Sequence, residues 1–138
     1  MNARSFVLAA VDDDDAGAEV LSCAREQARR LGLPLRAAHV WTGRERRPGG
    51  SGPTEMSDSD RLLTAILYDN LPPDEAAAVE RQILHDDDPA RALAALGHDA
   101  ALVVAAAGTL GETVKRLAGL ADCPVAVVPA TPRVVAGR

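Results

Sequence analysis

Aromatic residues are almost missing. Phe6, Trp41 and Tyr68 are the whole set, 2% of the 138 residues. Proteins that grip single-stranded nucleic acid stack bases on aromatic side chains, so that function has no platform here. Lysine is scarcer still: Lys115 is the only one, and the net charge is −5. Nucleic-acid binders show a basic face, so the charge points the same way. Cysteine occurs twice, at Cys23 and Cys123, with no Cys-x-x-Cys pair. The two read as reduced, buried thiols of a cytoplasmic protein. No apolar run approaches the ~18 residues of a membrane span. Strand-like sequence begins so early that no room is left for a signal peptide. The expected location is therefore the cytoplasm, with no membrane and no nucleic acid as partner.

What is present is aliphatic. Apolar residues make up 47% of the chain, and Ala, Val and Leu must fill the core. The length suits one domain over 1–138. "SFVLAAV" (5–11) reads as a buried strand. After it, Val20, Leu21, Ala24, Ala28 and Leu31 recur at helical spacing, and Gly32 and Pro34 close the helix. "LPLRAAHV" (33–40) is the second strand, and a β-α-β crossover makes the pair parallel. Residues 41–58 are dense in Gly, Pro and Ser and read as a flexible loop. Leu62, Leu63, Ile66 and Leu67 predict a helix over 59–70, ended by Pro72 and Pro73. The stretch 75–88 is mixed: its alanines favour helix, while Val79–Leu84 alternates and is assigned as a strand. Asp88 and Pro89 open a helix over 88–97. Strand 100–107, helix 111–121 and strand 123–130 complete the pattern. Five strands alternate with four helices in an α/β three-layer sandwich on a parallel sheet. Ligands in such sheets bind beyond the carboxyl ends of the strands.

The residues at those ends carry a family resemblance. "AVD" (10–12), "LRAAHVW" (35–41), "HDDDPARALAAL" (85–96) and "ADCPVAVVP" (121–129) follow in the order found in the universal stress proteins. The chain resembles that family end to end. The resemblance implies a Rossmann-like fold of the adenine nucleotide alpha hydrolase kind, with strand order 3-2-1-4-5. It also implies a homodimer built on the last strand, through Pro124, Val125, Val127 and Val128. Part of the family binds ATP through a Gly-x2-Gly-x9-Gly-Ser/Thr loop after the fourth strand. Glycines there let backbone N–H groups approach the phosphates, and the helix N-terminus and a hydroxyl complete the cradle. In the family, the aspartate matched by Asp12 contacts the adenine end.

Here the loop departs from the pattern. Ala105 stands at the first glycine, Gly108 at the second, Gly111 at the third and Glu112 at the hydroxyl position. Between Gly108 and Gly111 lie only Thr109 and Leu110, two residues where the family has nine. Asp12 to Asp15 and Asp86 to Asp88 add negative charge at the same edge. Two like charges ~4 Å apart cost about 1 kcal/mol in water and about 4 at an effective dielectric of 20. A triphosphate meets several such terms at once. The candidate cleft is Val11, Asp12, Val40, Ala105, Gly108, Thr109, Gly111 and Glu112, a degenerate nucleotide site.

The remaining features read as structure. Consecutive aspartates point apart on an extended chain and lack the spacing of a calcium loop, so they are solvated caps. His39, His85 and His98 sit in places too different to converge on a metal. No Ser-His-Asp arrangement is visible, and no catalytic residue is assigned. A phosphorylation receiver domain needs a Lys-Pro after its last strand, where this chain has "PATPR". The expectation is a non-catalytic stress-protein domain with no cofactor, ATP being disfavoured, that works by dimerisation and by contacts with a protein or small ligand. The alternatives are a binder of a non-nucleotide small molecule in the modified cleft, and a weak ATP binder.

Overall fold

The computed structural model describes residues 6–11, 17–41, 54–85, 88–106 and 111–128. Ten elements follow in the order β1 (Val7–Ala10), α1 (Gly17–Leu31), β2 (Leu35–Trp41), α2 (Thr54–Asn70), α3 (Pro73–Ala78), β3 (Glu80–His85), α4 (Pro89–Leu96), β4 (Leu102–Ala106), α5 (Gly111–Leu120) and β5 (Val125–Val128). The strands form one parallel sheet of order β3-β2-β1-β4-β5, as expected. Among the described residues, no helix is long and apolar enough to cross a membrane.

Alternation along each strand builds the three layers. Val7, Ala9 and Val11 of the first strand segment join Val104 and Ala106 in a core beneath α1 and α2, whose Leu21, Leu63 and Leu67 fill it. Phe6, Leu8 and Ala10 turn the other way and meet Val103 and Ala105 beneath α4 and α5, with Leu93 and Leu117. The strand residues of β1 are buried on both faces, which is why that segment reads as a continuous apolar run. Among the described residues, Phe6 is the one aromatic in the buried core, and leucines are the largest fully enclosed side chains.

Local signals explain most of the element ends. Gly32 takes φ +67°, the left-handed conformation that favours glycine. Gly32 N–H donates to Arg29 O at 3.2 Å and Leu33 N–H to Ala28 O at 2.9 Å, which satisfies the last carbonyls of α1 in a Schellman turn. Asp88 caps α4, its carboxylate accepting from Arg91 N–H, with Pro89 at the first helical position.

Three expectations need correction. The predicted loop over 41–58 is too long at both ends: Trp41 belongs to β2, and α2 already begins at Thr54. A fifth helix, α3, lies among the described residues where four were expected. It runs six residues from Pro73 to Ala78, with Pro72 as its N-cap. The third strand starts at Glu80 and ends at His85, one residue later than assigned. Val79 causes the shift: it is the C-cap of α3, with its N–H on Ala76 O and an extended backbone that leads into β3.

Ion pairs tie neighbouring elements together. Arg25 on α1 grips Glu75 on α3 through two hydrogen bonds, Nε to Oε1 at 2.7 Å and a terminal nitrogen to Oε2 at 2.9 Å. Arg36 on β2 pairs with Glu80, directly opposite on β3, at 3.0 Å and lies over the Phe6 ring. Arg81 on β3 reaches Thr64 and Asp60 of α2. The Arg25 guanidinium holds the Glu75 carboxyl below the ordinary carboxylate range, against the opposing pull of burial. A carboxyl lowered in the folded state contributes stability above its unfolded pKa, about 4.3. That contribution is lost as pH falls through the lower folded value. Glu75→Gln should therefore lower stability at pH 7 and change it much less at pH 2 to 3, as read from urea midpoints at the two pH values.

Candidate functional site

The strand order fixes where a cleft can lie. From β1 the chain builds outward to β2 and β3, then crosses back to β4 and β5. The switch in direction falls between β1 and β4, and the crevice beyond their carboxyl ends is where such folds hold ligands. Continuing the pairing of Ala9 with Val104 sets Val11 beside Ala106 at that edge.

Three of the predicted site residues have described side chains. Val11 is buried, and its N–H donates to Ala38 O at 2.8 Å, extending the β1–β2 ladder beyond the strand. Ala105 is buried within β4. Val40 is half-buried near the end of β2. Val11 packs on the α1–α2 side, whereas Val40 and Ala105 pack on the α4–α5 side. These three therefore bracket the edge from its two faces and do not share a wall. Gly111 is the first residue of α5, which places a helix N-terminus at the end of β4, and Glu112 follows it in the first turn. Asp12, Gly108 and Thr109 lie outside the described residues.

The connection from β4 to α5 is the informative feature. β4 ends at Ala106 and α5 begins at Gly111, so 107–110 is all that joins them. A second link crosses the same edge. Arg116 of α5 pairs with Asp88, the cap of α4, at 2.5 Å. Burial pushes the Asp88 carboxyl up, but the Arg91 N–H and the Arg116 guanidinium outweigh it and hold the group below the usual range. Asp88 is thus an anchored cap whose charge Arg116 balances.

Groups that might suggest chemistry lie apart. His39 is buried in β2. His98 follows α4 and meets Asp122, which follows α5, at 2.8 Å on the exposed amino-terminal edge. No group of three or more His, Cys, Asp or Glu side chains is placed to hold a metal ion among the described residues. Cys23 and Cys123 are not joined in a disulfide and are half-buried, where buried thiols were expected; the Cys123 thiol donates to Gly97 O at 3.8 Å. Sequence reading missed the Arg116–Asp88 link and the Arg25–Glu75 pair. Charged residues distant in sequence give no local sign that they meet.

Known structures share this architecture. A universal stress protein family member from Burkholderia pseudomallei superposes with TM-score 0.67 at 24% identity, over 92% of this chain and 97% of that one. A universal stress protein from Archaeoglobus fulgidus in complex with dAMP gives 0.70 at 22%, over 92% and 98%. One solved in complex with cAMP gives 0.68 at 16%, over 94% and 100%. At these identities the likeness is one of fold. No curated protein matches the chain significantly. Residues 5–129 match the universal stress protein family across both halves of the sheet, and the chain belongs to that family.

Proposed function

We propose that this universal stress protein has lost the phosphate cradle of the ATP-binding members and acts without catalysis in the cytoplasm. Its work is done by a homodimer and by contacts with a protein or small ligand in a stress response. The observation that carries this reading is the four-residue connection 107–110 between β4 and α5. A loop that wraps a triphosphate with backbone N–H groups needs length as well as glycine. Glu112 in the first turn of α5 takes the place of a hydroxyl. A negative charge near a helix N-terminus competes with a phosphate for the same dipole.

Sheet order supports the proposed dimer. β5 is an edge strand that pairs only with β4 among the described residues. Its Val127 is 45% exposed. A short apolar edge of this kind is a template for another strand, here the same strand of a second copy.

A second reading has support from the nucleotides in the relatives. dAMP and cAMP each carry one phosphate, which asks less of a loop than three. A cut-down cleft beside Val11 and Gly111 suits a mononucleotide or another small ligand better than ATP. Acid extracts of the freshly purified protein separate these readings. The preferred reading predicts no stoichiometric nucleotide. Stoichiometric ATP would refute it, and a mononucleotide alone would favour the second reading.

A further inference from the structure

At the sheet edge opposite the nucleotide crevice lies a cavity of about 350 Å³. It is bounded by the end of α1, the start of β2, and α3 with the residues flanking it. The last turn of α1 carries Ala28, and Gly32 follows the helix in the left-handed conformation. A Cβ added at Gly32 would meet nothing within 4 Å. Ala28 and Gly32, both small, line the cavity together.

The lining has the composition of a ligand site. Leu33, Leu71 and Val79 give it an apolar wall, while Arg25, Arg29 and Glu75 supply the charge. Such a volume, largely apolar with a few convergent polar groups, is typical of small-molecule pockets. The charges do not cancel. Glu75 is held by the two bonds from Arg25, and Arg29 stands 3.5 Å from the same carboxylate. Two guanidinium groups thus face one carboxylate, and the rim carries an excess positive charge. Arg29 is 65% exposed, so its guanidinium is accessible from solvent. An arginine fork matches a carboxylate in geometry as well as charge.

We propose that this cavity is a second binding site, distinct from the nucleotide edge, for a small monocarboxylate with an apolar body. The carboxylate meets Arg29, and the apolar body lies against Leu33, Leu71 and Val79. The site is independent of whether the opposite edge holds a nucleotide.

Octanoate is the probe, with octanol and octylamine as neutral and cationic counterparts of the same length. Methyl NMR of the intact protein should show saturable shifts at Leu33, Leu71 and Val79 with a dissociation constant at or below about 1 mM. Ala78 lines the cavity from the exposed end of α3, so Ala78→Phe blocks it without touching the core and should abolish the shifts. Arg29→Gln, at a solvent-exposed position, should weaken octanoate about tenfold and leave octanol unchanged. The proposal is overturned by the absence of saturable shifts at about 10 mM octanoate, a concentration that would saturate any site of millimolar affinity. It is overturned equally if octylamine binds as tightly as octanoate, or if Arg29→Gln leaves octanoate affinity unchanged.

Discussion

Leu21→Ala is expected to cost about 3 kcal/mol of stability, within the range for emptying a buried leucine site. For a domain of this size that is a fall of roughly 10 °C in melting temperature. Leu21 lies on α1 with no exposed surface and packs in the core shared by β1, β4 and α2. The cost depends on whether neighbours can collapse into the space. Here the surroundings are valines and alanines on strands, such as Val7, Ala9 and Val104, which are short and stiff. The buried aromatic Phe6 belongs to the core on the other face of the sheet. Leu63 and Leu67 of α2 share this core but are themselves fully buried and held in place, so the cavity closes only in part. Leu31→Ala on the same helix is the control. Leu31 is 51% exposed, and its loss should change stability by no more than about 0.5 kcal/mol. Equal effects at the two positions would contradict the packing described.

Val127→Arg should convert the proposed dimer to a monomer at micromolar concentration. In a two-fold interface each substitution is present twice, and two arginines would face an apolar strand edge. A hundredfold loss of affinity, about 2.7 kcal/mol, is the expected scale. Within the chain, β5 pairs with β4 from Val125 to Val128. Val127 is nearly half exposed, so the fold should survive the change. Light scattering of wild type and variant, with circular dichroism to confirm folding, reads the result. A wild-type monomer, or a variant that still dimerises, would place the contact elsewhere or deny it.

The architecture was legible in the sequence because local rules and global order agree. Apolar runs marked β1 and β4, Gly32 marked the end of α1, and Asp88-Pro89 marked the start of α4. The stretch after Pro73 was harder because it holds two elements in a dozen residues. Its alanines are helical and its "ERQILH" is a strand, with Val79 as the joint. Composition placed the loop boundary too late: Thr54 to Asp58 look polar and loop-like, yet they open α2. At the carboxyl edge, the resemblance to the family supplied a pattern against which the two residues between Gly108 and Gly111 could be counted. The amino-terminal cavity gave no such sign. It depends on Arg25 and Glu75 meeting across fifty residues of chain.

The central claim is that the short β4–α5 connection no longer holds ATP. Its most direct test is the melting temperature with and without millimolar ATP and magnesium. A ligand at ~100 times its dissociation constant adds about 2.7 kcal/mol, which would raise the midpoint by several degrees in a domain this size. The account predicts no shift beyond the precision of the measurement. A rise of several degrees would contradict it and would mean that residues 107–112 cradle phosphates despite their length.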